Sequence, residues 1–152
     1  MDKSADKMSG NKAENNYDSF IDAHNVIAVV GATPNKEKYG YKVFSALRRK
    51  GYNTYAVNPN HSIIYGSKCY PSLSSLPEKP DVVITVVKPD ITLSIIRQCI
   101  KLNIKKIWMQ PGSESEEAVE LCKKEGLSFI CNACFVVDGL KKDIDYGLSF
   151  VF

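Results

Sequence analysis

The chain has 152 residues, a net charge of +3, 44% hydrophobic residues and 24% charged ones. These values fit one ordinary soluble domain. The charge is too small to point to nucleic acid, and no apolar run approaches the ~20 residues of a membrane span. The N-terminus is polar and has no arginine before Arg48, unlike a signal peptide or an Arg-rich presequence. Residues 1–25 hold three lysines against five acids, and the rest holds 17 basic residues against 12 acidic ones. The folded part is therefore mildly basic, as an anionic ligand would favour, although a solvated mixed surface accounts for it equally well. Five cysteines, at 69, 99, 122, 131 and 134, are too sparse for a disulfide scaffold. They point to a reducing, cytoplasmic setting with mostly buried thiols.

Residues 1–16 carry no apolar period and read as a disordered polar tail, with one domain over 17–152. Residues 17–24 have room for one helical turn. Val26–Val30 is a continuous β-branched run, the pattern of a strand buried on both faces. Gly40–Lys50 spaces Val43, Ala46 and Leu47 as a helix and stops at Gly51. Tyr52–Val57 reads as the second strand. Ile63–Leu76 is irregular, with turns at Tyr65-Gly66 and Tyr70-Pro71 and a helical turn near Ser72–Leu76.

Asp81–Val87 is the third strand, and Pro89 opens a helix that runs to about Leu102. Ile104–Met109 is the fourth strand. Ser113-x-x-Glu116 resembles a capping box for a helix that reaches Gly126. Leu127–Cys131 is the fifth strand, Asp138-Gly139 a turn, and Leu148–Phe152 a last extended piece that docks on this domain or on another subunit. Alternating strands and helices imply right-handed βαβ units. The expected fold is α/β: a Rossmann-like three-layer α/β/α arrangement with a five-stranded, mostly parallel, doubly wound sheet. Ligands of such sheets bind beyond the carboxyl ends of the strands, where strand order reverses.

The loop after the first strand runs from Gly31 to Tyr41, through Ala32, Thr33, Pro34, Lys38, Tyr39 and Gly40. Gly31 permits a tight turn, and Gly40 permits close backbone approach at the helix start. The helix dipole and first-turn N–H groups favour an anion, and Lys36 and Lys38 add charge. The strand–loop–helix context favours a phosphate site over a plain surface loop. The dinucleotide fingerprint is not met, because Ala32 and Thr33 follow Gly31 and no acid ends the second strand. No GK[ST] phosphate loop is present either.

Asn58-Pro59-Asn60-His61 fits either an adenine or ribose wall or a plain turn. Lys88 fits either a phosphate contact or a surface cation. Gln110-Pro111-Gly112 precedes a helix start, a second candidate anion site. Cys131 and Cys134 form a CxxC pattern without the further ligands zinc requires, so structural or pocket-lining thiols are the preferred reading. His24 and His61 form no triad, and the residues offer no acid–base or nucleophile set.

VIAVVGATPNKEKYGYKVFSALRRKGYNTYAVNP, IYGSKCYPSLSSLP, DVVITVVKP and IWMQPGSESEEAVELCKKEGL, in this order, resemble the stand-alone CoA-binding domain family. That family is similar to the N-terminal domain of the succinyl-CoA synthetase α subunit. The likeness spans about residues 24–137. It implies a Rossmann-like domain holding coenzyme A, with the diphosphate against Ala32–Tyr41 and the adenosine beside Asn58 and Pro59. Val87, Lys88, Gln110 and Gly112 match further segments of the family's site, and Cys134 matches a cysteine near the pantetheine end. The family cysteine usually precedes proline, where this chain has Phe135. The synthetase has lysine where this chain has His61. The synthetase's second domain, with its phosphorylated histidine, has no counterpart in these residues.

The resemblance therefore implies a protein that binds coenzyme A or an acyl-CoA without catalysis of its own: a carrier, sensor or regulatory module. The alternative is a nicotinamide- or acyl-CoA-using enzyme subunit acting with a partner. The protein partner is left open. Ala32→Asp or Lys38→Glu is expected to weaken binding of coenzyme A and leave the fold intact.

Overall fold

A computed structural model of the protein describes residues 17–142, so the polar N-terminal stretch and Leu148–Phe152 lie outside the described residues. The elements in chain order are α1 (Asp18–Ile21), β1 (Val26–Val30), α2 (Tyr39–Lys50), β2 (Asn53–Val57), β3 (Ile63–Ile64) and β4 (Ser67–Tyr70). They continue with a 3-10 turn (Leu73–Ser75), β5 (Val82–Thr85), α3 (Pro89–Leu102), β6 (Lys106–Met109), α4 (Glu116–Lys124), β7 (Ser128–Ile130) and a π-helical turn (Phe135–Gly139).

The α/β class and the parallel, doubly wound sheet are as expected. The strand count is not. Among the described residues one sheet holds seven strands in the order β3-β4-β2-β1-β5-β6-β7. Every neighbouring pair is parallel except the β3–β4 hairpin. The additional strands lie in the segment read as irregular. The Tyr65-Gly66 turn is present, with both residues at positive φ (52° and 70°), and it closes the hairpin. Cys69 and Tyr70 then pair with Ala56 and Val57. Strands of two and four residues are too short to show a period.

Two apolar clusters sandwich the sheet. Ile27, Val29, Val82, Ile84 and Trp108 pack with Phe44 and Leu47 of α2 and with Phe135 and Val136. Ala28, Val30, Val83, Ile107 and Met109 pack with Ile96 and Cys99 of α3 and Cys122 of α4. Alternation along β1 sends successive residues to opposite layers, and both layers are covered. Each fully buried aliphatic side chain contributes roughly 1.5–3 kcal/mol.

Three local readings change. The N-cap of α4 is Ser115, whose side chain accepts from the Ala118 N–H, not Ser113. Ser113 is buried, bonds the Gln110 carbonyl at 2.8 Å and meets the Thr85 hydroxyl at 2.9 Å. That α4 helix ends at Lys124 rather than Gly126. Asp138-Gly139 belongs to the π turn, not a simple turn, because the Asp138 and Gly139 N–H groups both reach the Cys134 carbonyl.

The decisive backbone contact lies at the head of β1. Gly31 has φ +102°, and a Cβ there would stand 2.3 Å from the Val86 carbonyl oxygen. A Cβ on Gly40 would stand 2.1 Å from the Gly31 carbonyl oxygen. Close packing of helix against strand, rather than approach to a ligand, is thus what glycine provides at position 40. Gly40→Ala should lower stability by about 1–3 kcal/mol or more, measured as a lower urea midpoint with the slope unchanged.

Candidate functional site

The carboxyl ends of β1, β2, β4 and β5 meet on the α3 side of the sheet. They frame a cleft of about 350 Å³, within the usual range for a ligand site. The floor is Val30, Gly31 and Val57, one wall is Asn58–Asn60 with Pro71–Leu73, and the other is Val87 with Ile91, Ser94, Ile95 and Gln98 of α3. The α3 residues recur at helical spacing and form one stripe. The site thus sits where strand order reverses between β1 and β5.

Asn58 ties the loops after β1 and β2 together. Its side-chain N–H donates to the Ala32 carbonyl at 2.8 Å, and its side-chain oxygen accepts from the Asn60 N–H at 2.9 Å. Its backbone N–H donates to the Tyr70 carbonyl at 2.9 Å, and the Gly31 N–H donates to the Val57 carbonyl at 3.0 Å. Within the loop, Thr33 Oγ1 accepts from the Asn35 N–H at 3.2 Å, and Asn35 Oδ1 accepts from the Glu37 N–H at 3.0 Å. Short side chains thus hold the loop in shape. It delivers the chain to α2, whose N-cap Lys38 supplies no capping side chain. The loop, with Lys36 and Lys38, and the start of α2 lie at the carboxyl edge of β1, the same edge as the cleft.

Of the residues expected at the site, Gly31, Asn58, Pro59 and Val87 line the cleft. Pro34, Lys38 and Lys88 are exposed near the same edge, Lys88 as the N-cap of α3. Thr33 and Tyr41 are half-buried, and Tyr41 meets Tyr65 edge-on at 5.8 Å. Ala32 is fully buried in the α2-side core. An aspartate there would bury an unpaired charge, so the expectation that Ala32→Asp leaves the fold intact is corrected. That variant should lose about 3 kcal/mol or more of stability, seen as a lower thermal midpoint without any ligand.

Tyr39, Gln110 and Cys134 gather on the α2 side, away from the cleft lining. Gln110 is fully buried. Its Nε2–H donates to Cys134 Sγ at 3.3 Å, and its Oε1 accepts from the Phe135 N–H at 2.7 Å. A proline at 135 could not donate that bond. Asp138 accepts the Cys134 N–H at 2.7 Å, and the Trp108 indole donates to the Ala133 carbonyl at 2.8 Å. Burial, with Cys134 and Asp138 adding to it, pushes the Tyr39 hydroxyl up to about 12. It is a neutral phenol at physiological pH.

Gly112 is exposed at φ +94°, and its N–H is taken by the Glu114 carboxylate at 2.9 Å. The chain's own side chain thus fills that candidate anion site. Cys131 and Cys134 pack into opposite layers, although both belong to one CxxC motif. Burial is the first cause that pushes the Cys131 thiol up to about 11 and those of Cys99 and Cys122 to about 12. Thiolate is the reactive form. At pH 7.5 these three should resist iodoacetamide in the folded protein and react in denaturant, as peptide mass mapping would show.

Sequence reasoning missed Pro71–Leu73 and the α3 stripe. Without β4, nothing brought the Tyr70-Pro71 turn to the carboxyl edge. The spacing of Ile91, Ser94, Ile95 and Gln98 was available, but it reads as an ordinary amphipathic helix.

Residues 25–139 match the family described as CoA binding domain. The chain belongs to that family. This CoA-binding domain is 29% identical over 119 residues to acetate–CoA ligase [ADP-forming] I of Archaeoglobus fulgidus, covering 72% of the chain and 17% of the ligase. It thus spans under a fifth of that relative. A solved Pyrococcus horikoshii hypothetical protein superposes with a TM-score of 0.81 at 30% identity, over 93% of this chain and 98% of that one. A conserved hypothetical protein from Pyrococcus furiosus gives 0.71 at 39% identity, over 74% and 97%. Among the described residues no helix is long and apolar enough to cross a membrane.

Proposed function

We propose that the protein binds coenzyme A or an acyl-CoA as a binding module, a carrier, sensor or regulatory domain, without catalysis of its own. The observation that carries this is the cleft at the point of strand reversal, joined through Asn58 to the glycine-pinched loop that begins α2. Pro59, Leu73, Ile91 and Ile95 offer apolar walls for a purine, and Ser72, Ser94 and Gln98 offer neutral hydrogen-bonding groups beside them. The diphosphate would lie along Ala32–Tyr41 at the α2 N-terminus, where dipole and lysines favour an anion. The cleft is too small for the whole molecule, so the pantetheine would leave it along the sheet edge.

The resemblance to part of ADP-forming acetate–CoA ligases supports a second reading, a subunit that acts on an acyl-CoA with a partner. Turnover of an acyl-CoA together with a captured subunit would favour it.

Calorimetric titration tests the first reading: coenzyme A should bind and NAD should not. An absence of coenzyme A binding at millimolar concentration would sink it. Asn58→Ala removes the two side-chain bonds that hold the β1 and β2 loops in place, so it should weaken coenzyme A by about ten-fold, part of the roughly 1 kcal/mol each bond contributes to the loops' order. Lys38→Glu, exposed at the helix start, should also weaken it, with the melting temperature little changed.

A further inference from the structure

We propose that the α3-side face of β2, β4 and β3 is the interface of a two-fold dimer, its partner a second copy of this chain. The proposal concerns a face outside the cleft lining and does not depend on the ligand. Register decides which residues share this face. Ala28 and Val30 pack in the α3-side layer and stand beside Tyr55 and Val57 of β2. Val57 stands beside Tyr70 of β4, and Lys68, two residues earlier, pairs with Ile63 of β3. Alternation therefore puts Tyr55, Lys68, Tyr70 and Ile63 on one face. On the opposite face the same strands bury Thr54, Ala56, Cys69 and Ile64. The α3-side face is open instead: Tyr55 and Tyr70 are half-buried, Lys68 is exposed and Ile63 is 66% exposed. Strands of parallel sheets are ordinarily covered on both faces. Two tyrosines and an isoleucine open to water on such a sheet are the material of an interface core.

The side chains on this face are already held in place. Tyr55 and Tyr70 meet edge-on at 5.7 Å, and Lys68 Nζ stands 5.0 Å from the centre of the Tyr70 ring. The Tyr55 hydroxyl donates to Glu78 Oε2 at 2.6 Å, and Asn53 donates to the same oxygen at 3.1 Å. Groups ordered beforehand lose little freedom on association. Charge identifies the occupant. Tyr55 and Lys68 each precede the paired residues Ala56 and Cys69, so they are neighbours across two strands. Glu78 sits at the Tyr55 hydroxyl, so a cation and an anion flank one ring. A two-fold contact pairs residue i with residue j and j with i. An axis passing by Tyr55 sets each Lys68 against Glu78 of the second copy, and the face complements itself. Ile63 and the two rings supply the affinity, while the charges set orientation and reject like-charged pairings.

Sedimentation equilibrium at tens of micromolar chain and low salt tests the proposal. The unaltered protein should show twice the 16.9 kDa of one chain. Ile63→Asp should weaken the dimer by about ten-fold or more, with an unchanged circular dichroism spectrum because Ile63 is exposed. Lys68→Glu and Glu78→Lys should each weaken it similarly, since each sets like charges together across the axis. An equimolar mixture of these two variants should dimerise again, because each mixed pair carries opposite charges at both contacts. Mass of a single chain in the unaltered protein overturns the proposal, whether the face is then left open or taken by a different protein. So does an Ile63→Asp dimer as tight as the unaltered one, because another face would hold it. A mixture of the two folded charge variants that stays monomeric overturns it as well, since a two-fold pairing of Lys68 with Glu78 requires the rescue.

Discussion

The approach of backbone to backbone at the head of β1 governs the site. Gly31 carries its carbonyl against the Gly40 α-carbon, and its own α-carbon faces the Val86 carbonyl. Neither contact has room for a methyl group. The pinch closes the long loop at its base and sets the α2 start against the first strand. It also brings the segment after β5 to the segment after β1. Strand order reverses at this place, so a local steric constraint shapes the candidate site.

Around the pinch the hydrogen bonds divide into two systems. On the α3 side, Asn58 joins two loops and leaves a cleft with neutral walls. On the α2 side, Gln110, Cys134, Phe135 and Asp138 satisfy one another in a buried group. The second system uses residues whose types suggest chemistry, yet its bonds are internal. It anchors the segment that follows β7 beneath Trp108, whose ring meets Tyr17, Phe20 and Phe135 at 4.8–5.8 Å.

What was legible in the sequence follows from length and burial. VIAVV is apolar without a break, and in DVVITVV only Thr85 interrupts the apolar run after Asp81; both supply central strands of the sheet, so they are unmistakable. The α3 helix announces itself through Pro89 and the spacing of its apolar residues. The hairpin was not legible, because Ile64 and Cys69 are the buried residues of two short strands whose neighbours are exposed or half-buried. Ser113 and Ser115 both fit a cap by residue type, and only the local bond of Ser113 to Gln110 and its tertiary contact with Thr85 separate them. The glycine loop was legible as a special turn, but the role of Gly40 was not. A missing Cβ looks the same in sequence whether a ligand or a carbonyl needs the space.

The chain from β2 to β5 makes no long helix on the α3 face; it returns through the hairpin and a single 3-10 turn. That return is tethered at both ends. Tyr70 bonds Asn58 near its start, and Glu78 accepts from Tyr55 at 2.6 Å and Asn53 at 3.1 Å near its finish. The width of the cleft is therefore the span left between a tether and a helix, not a hollow carved from the core. Lengthening or shortening the stretch around Leu73 would resize the opening, provided Leu73 and Leu76 kept their places in the α3-side layer. Editing that one surface connection would change the size of occupant the scaffold admits.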